Sequence, residues 1–264
     1  MANIVGEYLK SLLLKQNKMI CKTTDVALVK DFISLLKPIT TNHNLIRIGG
    51  EGDGGYLVPD DLNNINSCFS PGVCEVANFE LEFANRGIKC FLADYSVEAP
   101  PTQNILFDFE KKYLGQVEDS IHITLENWVS RKAPNQSDFI LQMDIEGAEY
   151  EVIFDTSSET LRKFRILVIE FHRLEAIIVK HGFDLINFTF RKLLKDFEIV
   201  HIHPNNASKF KTYKTFEIPP TMEFTFLRKD RISSRQPTLS FPHKLDRPNA
   251  PNMEDYHLPK CWHE

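Results

Sequence analysis

The amino-acid sequence predicts an α/β protein with a doubly wound, mostly parallel β-sheet. Between residues 66 and 230, short apolar runs alternate with amphipathic segments of helical periodicity. This repetition of strand, helix and strand is typical of parallel sheets that carry helices on both faces. The chain has 264 residues, of which 42% are hydrophobic and 25% are charged. That balance is ordinary for a globular protein, so it excludes a disordered or collagen-like chain.

Six short apolar runs predict the strands of this sheet. They cover residues 67–70, 89–93, 139–143, 166–169, 198–202 and 223–227. A long loop joins the last two, and we expect one strand to run antiparallel at an edge of the sheet. The clearest helix is predicted over residues 75–86, which Gly87 is placed to end. Its apolar face consists of Val76, Phe79, Phe83 and Ala84.

The chain is expected to have three parts. Residues 1–44 form a helical extension, in which Thr24 or Asp25 caps the second helix. Residues 45–230 form the main α/β domain, and residues 231–264 form a proline-rich tail packed on it. The apolar residues of the tail are Phe241, Leu245, Leu258 and Trp262. A disordered tail is the alternative.

Net charge and composition argue against several classes of protein, namely those that bind nucleic acid, span a membrane or depend on disulfides or zinc. The net charge of −5 provides no basic field for nucleic acid or an anionic membrane. No apolar run approaches the roughly 20 residues that span a bilayer, and the N-terminus lacks the zones of a signal peptide. The 5 cysteines are scattered without a CxxC pair. A reduced, cytoplasmic protein is therefore expected, rather than a disulfide framework or a zinc site.

The first predicted strand ends in a turn that suits a ligand. Ser70, Pro71 and Gly72 form this turn, where Gly72 can take a positive φ and leaves room beside the backbone. Asp94 ends the second strand, roughly 20 residues further on, the spacing of a carboxylate that binds a ribose hydroxyl. Ligands of open parallel sheets lie beyond the carboxyl ends of the strands, so we expect Gly72 and Asp94 to share one crevice. A purely structural turn is the alternative.

The residues after Gly72 favour a cationic ligand. A dinucleotide fingerprint needs Gly-x-Gly-x-x-Gly, but Cys74 replaces its second glycine and Glu75 follows. A carboxylate in the first turn of a helix repels phosphate and tolerates an ammonium or sulfonium group. S-adenosylmethionine carries both of these charges, an adenosine ribose and no phosphate. It is the nucleotide that this pattern favours.

Acidic residues follow two further strands at the same edge of the sheet. They are Asp144, Glu146 and Glu149 after the third predicted strand, and Glu170 and His172 after the fourth. Asp144, Glu170 and His172 could hold Mg²⁺ or Mn²⁺, which would lower the pKa of a sugar hydroxyl. The alternative for Asp144 is a helix N-cap, and Glu146 and Glu149 fit capping or solvated positions.

Without a metal, a histidine would supply the general base. His172, His201 and His203 are the candidates, and the alternative for the last two is a surface strand with solvated imidazoles. Before the main domain, residues 47–57 contain five of the 11 glycines but lack the Gly-Lys-Ser/Thr of a phosphate-binding loop. Asp53 and Tyr56 in this segment could close over the crevice. A plain β-hairpin turn is the alternative.

Taken together, these segments resemble the FkbM family of S-adenosylmethionine-dependent methyltransferases. The matching segments are residues 52–56, 70–75, 94, 144–149, 201–206 and 245–249. Asp-x-Glu-Gly-x-Glu after a strand is the most specific of them. Cys74 is a departure, because relatives often have a glycine there.

The resemblance implies a class I methyltransferase fold, Rossmann-like and with seven strands, whose catalytic domain is residues 45–230. It implies O-methylation, commonly of a sugar hydroxyl in a glycan or natural product. Asp94 would bind the ribose of S-adenosylmethionine, and Gly72 would lie beside its methionine part. Asp144 and Glu170 are similar in position to the acidic ligands of metal-dependent class I methyltransferases.

The expected site residues fall into groups for cofactor binding, metal binding, catalysis and substrate binding. Cofactor binding is expected from Ser70, Pro71, Gly72, Val73, Glu75, Asp94, Tyr95 and Asp144. Metal binding is expected from Asp144, Glu170 and His172, and catalysis from Asp144, His172 and His203. Substrate binding is expected from Asp53, Tyr56, Glu146 and His201.

Two other functions stay open at this point. One is an oxidoreductase that uses NAD or a nucleotide sugar on a similar sheet, against which Cys74 and Glu75 count. The other is a non-catalytic glycan-binding protein of the same fold. In each case the expected partner is a glycan or another small molecule, not nucleic acid. The N-terminal helices would either cover the substrate entrance or form the surface of a homo-oligomer.

Overall fold

A computed structural model describes residues 2–74 and 76–264 of the chain. Its strands are β1 (Ile39–Thr41), β2 (Leu45–Ile48), β3 (Tyr56–Pro59), β4 (Ser67–Pro71), β5 (Lys89–Ala93), β6 (Phe107–Glu110), β7 (Tyr113–Gly115), β8 (His122–Thr124), β9 (Phe139–Met143), β10 (Phe164–Phe171), β11 (Phe197–Pro204), β12 (Lys211–Tyr213), β13 (Phe216–Ile218), β14 (Met222–Arg228) and β15 (Arg235–Pro237). Its helices are α1 (Ala2–Lys15), α2 (Val26–Leu35), α3 (Asn78–Asn85), α4 (Leu125–Lys132), α5 (Glu149–Asp155), α6 (Ser158–Arg162) and α7 (Lys180–Asp196). Short 3-10 helices cover Leu174–Ile178, Lys229–Arg231 and Lys260–Trp262.

A sheet of seven strands forms the centre, in the order β11-β14-β10-β9-β4-β5-β6. The neighbours from β10 to β6 run parallel, whereas β14 runs antiparallel to both β10 and β11. The prediction of a mostly parallel, seven-stranded sheet is confirmed, and the sheet is compatible with a Rossmann-like fold. The prediction that the antiparallel strand lies at an edge is wrong, because β14 is inserted between β10 and β11.

All six predicted strands are present, and four of them are longer than predicted. The largest extension is in β10, whose eight residues are all buried. The seventh strand, β6, is not predicted from the sequence, because its Phe-Asp-Phe-Glu run is short, half-buried and half acidic. Helix α3 begins later than predicted, and Val76 before it is 44% exposed instead of packed. Glu75 lies outside the described residues.

The alternation of side chains along the strands divides the core into two layers. Phe69 and Leu141 belong to one layer, with α2, α4, α5 and α7. Cys68 and Ile140 belong to the other, with α3 and the antiparallel pair β2–β3. Because both faces of the sheet are covered, the carboxyl ends of β4, β5, β9 and β10 meet along one edge. The loops at that edge are the ones that can surround a ligand.

Both ends of the chain are connected to this core. Asp25 caps α2 by accepting a hydrogen bond from the Ala27 N–H at 2.8 Å, as predicted. In the tail, Trp262 is fully buried and its Nε1–H donates to the Glu217 carbonyl at 2.9 Å. Within the described residues, no helix is long and apolar enough to cross a membrane.

Candidate active site

Gly72 allows the ends of three strands to approach one another. Its N–H donates to the Ala93 carbonyl at 2.9 Å, which joins the end of β4 to the end of β5. Its φ is +88°, and a Cβ at this position would lie 1.6 Å from the backbone oxygen of Asp144. Only glycine fits such a contact, because any side chain would push β9 away from β4.

Two cavities open beside this turn. One has a volume of about 550 Å³ and extends past Asp94 and Ser96. The other has a volume of about 240 Å³ and extends towards Tyr56 and Glu80. Asp53, Gly72, Cys74 and Asp144 line both cavities. The two are therefore halves of one crevice at the carboxyl ends of β4, β5 and β9.

Asp94 ties the two loops at the floor of the larger cavity. Its Oδ2 accepts a hydrogen bond from the Cys74 N–H at 2.9 Å. Its Oδ1 accepts from the N–H and the hydroxyl of Ser96, at 2.8 Å and 2.7 Å. A carboxylate offers about four acceptor positions, so one remains for a further donor such as a ribose hydroxyl.

The glycine-rich segment is the loop of the β2–β3 hairpin, and it also forms a wall of the crevice. The Arg47 guanidinium donates to the carbonyls of Gly50 and Gly52, at 2.8 Å and 2.9 Å. A third bond, at 3.4 Å, reaches the Leu245 carbonyl in the tail. This fold of the loop brings Asp53 to both cavities.

A carboxylate and imidazole cluster lies where β9 and β10 end. Asp144, Glu149 and His172 each offer a ligand atom, and these atoms lie within 4.8 Å of one another. Glu149 is fully buried, and its Oε1 accepts from the N–H groups of Ile145 and Gly147, at 3.2 Å and 3.0 Å. The same oxygen lies 3.1 Å from Nδ1 of His172. Glu149 is thus a buried anchor of the turn after β9, not a solvated residue.

His172 is surrounded by carboxylates. Its Nε2 lies 3.8 Å from Oδ1 of Asp144 and 3.5 Å from Oε2 of Glu146. Burial alone would lower the pKa of the imidazole, but the hydrogen bond to Glu149 and the nearby negative charges raise it above its ordinary value. The carboxylates around His172 therefore favour its charged form.

Asp144 and Glu170 form a carboxyl pair, in which Glu170 is buried and Asp144 is partly exposed. Burial and the charge of Glu170 raise the pKa of Asp144 to about 9. Burial and the charge of Glu223 raise the pKa of Glu170 to about 8, although Asn205 donates a hydrogen bond to it at 2.7 Å. Oδ1 of Asp144 has no hydrogen-bond partner among the described residues. The pair therefore keeps protons at neutral pH, and one buried oxygen of Asp144 is left without a partner among the described residues.

The predicted metal ligands are only partly brought together. Asp144 and His172 share one cluster, as expected from the adjacent strand ends. Glu170 is not in that cluster. It is paired across strands with Glu223 and bound by Asn205. Glu149 takes its place near the imidazole.

The role predicted for His203 as a base does not fit its surroundings. His203 is buried in β11, with Nε2 at 3.2 Å from Asp255 and Nδ1 at 3.7 Å from Glu223. Burial opposes its charge, but these two carboxylates raise its pKa to about 10. An imidazole that is already protonated cannot accept a proton. His203 instead attaches the tail to the sheet.

His201, predicted to bind substrate, lines a different cavity. That cavity has a volume of about 140 Å³ and contains His43 and His243, and it shares no lining residue with the crevice. Nε2 of His201 lies 2.9 Å from Oδ1 of Asp246 in the tail. Both histidines of β11 therefore contact the tail, and neither is a solvated surface residue.

Ser70 belongs to a buried polar row rather than to the open part of the crevice. Its hydroxyl contacts the carboxyl group of Glu80 and lies 2.6 Å from Oε1 of Gln142. Gln142 in turn donates to the Tyr56 hydroxyl at 3.2 Å. Burial raises the pKa of Glu80, so this carboxyl group favours its neutral form. Glu80 and Gln142 are not among the predicted site residues, although each is a polar residue within an apolar face or strand.

The remaining predicted residues take varied positions. Pro71 ends β4, and Val73 is buried in the wall of the smaller cavity. Glu146 lines the larger cavity with a positive φ of 59°. Tyr95 is 37% exposed and its ring lies 5.2 Å from that of Tyr113. The position of Glu75 lies outside the described residues.

Comparison with known proteins identifies part of the chain. Residues 86–214 match the family model described as a methyltransferase FkbM domain. The matched segment runs from the end of α3 past β12, and it contains Asp94, Asp144, Glu149, Glu170 and His172. A search of curated proteins finds no match.

Proposed function

Because residues 86–214 match the family model of the methyltransferase FkbM domain, we propose that this protein is an O-methyltransferase that acts on a sugar hydroxyl of a glycan or glycosylated natural product. A methyltransferase, with S-adenosylmethionine as donor, is what the family implies. The choice of oxygen and of a sugar is our proposal. The domain match carries it, since the matched segment contains Asp94, Asp144 and Glu146, three of the carboxyl groups that line the crevice.

The polar groups of the crevice fit this donor. Asp94 keeps capacity for a ribose hydroxyl, and the carboxyl group of Asp144, whose buried Oδ1 has no partner among the described residues, suits a positively charged group. Asp53 adds a second carboxyl group to both cavities. When bound, S-adenosylmethionine supplies an electrophilic methyl group on a sulfonium centre. A crevice lined by carboxyl groups favours such a cation over a diphosphate.

Asp144 is the residue that we assign to the acceptor hydroxyl. It lines both halves of the crevice and has an oxygen free to accept a hydrogen bond. A positive charge bound beside Asp144 and Glu170 favours their ionised forms, so this pair can then lose a proton. Asp144 would next take the proton of the acceptor hydroxyl and share it with Glu170. Alignment of the acceptor by the surrounding loops would supply much of the rate.

We also propose a divalent cation as part of the site. Asp144, Glu149 and His172 offer oxygen and nitrogen atoms within 4.8 Å of one another, a donor set that suits Mg²⁺ or Mn²⁺. Nδ1 of His172 contacts Oε1 of Glu149, so Nε2 of His172 and the unpartnered Oε2 of Glu149 remain for the ion. The ion would lower the pKa of the acceptor hydroxyl. A reducing, cytoplasmic setting belongs to the proposal as well, because all five cysteines are free thiols.

Calorimetry and a transfer assay test the main proposal. S-adenosylhomocysteine should bind the purified protein, and NAD should not. Labelled S-adenosylmethionine should methylate a neutral glycoside, and NMR should locate the new methyl group on oxygen. Asp144→Asn should keep S-adenosylhomocysteine binding and lose roughly 100-fold or more in turnover. Asp184→Asn, an exposed substitution on α7, is the matched control. Binding of NAD alone, or full activity of Asp144→Asn, would contradict the proposal.

Metal removal tests the second part separately. Chelation should abolish transfer, and Mn²⁺ or Mg²⁺ should restore it. His172→Gln should raise the metal concentration needed for half-maximal activity, because it removes the nitrogen ligand. If transfer is indifferent to chelation, the metal is excluded and Asp144 remains as base.

A further inference from the structure

His122 lines the larger cavity, and its imidazole has three close neighbours. Both oxygens of Asp119 lie 3.0 Å from its Nδ1. A Cβ on Gly115 would lie 3.3 Å from Cδ2 of the imidazole, so the backbone there packs against the ring. The Tyr113 ring centroid lies 6.0 Å away. The ring is therefore fixed in the cavity wall.

Hydrogen bonds also hold the loop of residues 119–121 that precedes His122. Oδ1 of Asp119 also accepts the N–H groups of Ile121 and His122, both at 2.8 Å. The Lys112 ammonium group donates to the carbonyls of Asp119 and Ser120, both at 2.7 Å. These backbone bonds and the imidazole lower the pKa of Asp119 to about 2. Asp119 is thus a carboxylate that can only accept hydrogen bonds.

The carboxylate determines which nitrogen of the ring carries hydrogen. Because Asp119 only accepts, Nδ1 of His122 must donate, and in the neutral imidazole Nε2 is then an acceptor. Among the described residues, no group forms a hydrogen bond with Nε2 of His122. His122 lines the cavity that also contains Asp94. The cavity that contains the expected ribose position therefore also offers one oriented acceptor.

The order of the chemical groups in S-adenosylmethionine indicates which of them reaches Nε2 of His122. The inference rests on the proposed function. In S-adenosylmethionine the ribose lies between the sulfonium group and the adenine. With the reacting centre at Asp144 and the ribose at Asp94, the base must occupy another part of the same cavity, and Tyr113, Leu114 and His122 also line that cavity. Aromatic and apolar side chains suit the faces of a purine, and an acceptor suits its amine.

We propose that His122 accepts a hydrogen bond from the exocyclic amine of the donor's adenine, and that Asp119 positions it for this role. The pair would then decide which purine is accepted. Adenine presents an N–H donor to Nε2, whereas hypoxanthine presents a carbonyl oxygen at the same place. Two acceptors facing each other without water lose the bond and leave both groups unsatisfied.

Calorimetry with two ligands tests this proposal. The probes are S-adenosylhomocysteine and S-inosylhomocysteine, which differ only at this position of the base and its adjacent ring nitrogen. The wild-type protein should bind the adenine ligand about tenfold more tightly, the ratio expected from one hydrogen bond. His122→Phe keeps a ring but no acceptor, so it should bind both ligands with similar affinity. Asp119→Asn no longer forces Nδ1 to donate, so it should reduce the preference.

The controls separate this proposal from the proposed function. His181→Phe, the same substitution at an exposed position of α7, should leave the tenfold preference unchanged. Equal binding of both ligands by the wild-type protein would overturn the role of His122 while the methyltransferase assignment stands. A preference that persists in His122→Phe would do the same. If S-adenosylhomocysteine does not bind at all, both proposals fall.

Discussion

Replacement of Gly72 by alanine should damage the protein in two separable ways. The residue has a φ of +88°, and the new Cβ would lie 1.6 Å from the backbone oxygen of Asp144. The left-handed backbone costs an L-residue about 1–2 kcal/mol, and a methyl group forced into packed structure costs about 1–3 kcal/mol. We therefore expect Gly72→Ala to lower the free energy of unfolding by about 2–5 kcal/mol.

Gly87 provides a matched control for the backbone contribution. It has a φ of +78°, and a Cβ there would meet no atom within 4 Å. Gly87→Ala should therefore cost only about 1–2 kcal/mol. Urea denaturation of both variants gives the difference that is due to the contact with Asp144. Gly72→Ala should also bind S-adenosylhomocysteine more weakly, because Gly72 lines both cavities and moving the backbone at Asp144 changes the shape of the crevice. Equal destabilisation by the two substitutions would refute the close contact.

Two further predictions concern titratable groups. The pKa values of Asp144 and Glu170 are raised to about 9 and about 8, chiefly by burial, whereas in the unfolded chain these groups lose protons near pH 4. The folded state therefore binds more protons, and denaturation midpoints should fall as the pH rises towards 9, less so in Asp144→Asn. His203→Gln should lower the free energy of unfolding by about 3–5 kcal/mol, because it leaves Asp255 and Glu223 without their buried cation. If His203→Gln instead loses turnover while its free energy of unfolding is unchanged, His203 acts as a base and not as a structural cation.

The sheet could be predicted from the sequence because its strands are buried on both faces. β9 and β5 are mostly apolar runs, and the structure reproduces their predicted bounds. The edge strand β6 alternates phenylalanine with acidic residues over only 4 residues, which is too short for its periodicity to distinguish it from a loop. The position of β14 between two other strands depends on pairing over long sequence distances. Local periodicity contains no information on such pairing.

The site could be predicted only where it follows directly from strand ends. Asp94 and Asp144 lie at the crevice because each follows a parallel strand of the same sheet. The surroundings of His203 could not be predicted, because Asp255 reaches it from a tail with no periodic pattern. Glu149 was expected to cap or face solvent, yet the sharp turn at Gly147 carries it under the imidazole of His172. Such contacts depend on turns whose direction the sequence does not specify.

Base and metal ligand are competing roles for the same carboxyl group. Without a bound cation, the pair of Asp144 and Glu170 holds protons at neutral pH, and the raised pKa of His172 favours its charged form. A metal ion requires a deprotonated carboxylate and a neutral imidazole, so its binding should release about two protons. Binding of a sulfonium donor requires only that the carboxyl pair loses a proton, so it should release about one proton. Calorimetry at pH 7 in buffers of different ionisation enthalpy counts these protons. If Mn²⁺ binds without proton release, it does not bind to His172 and Asp144.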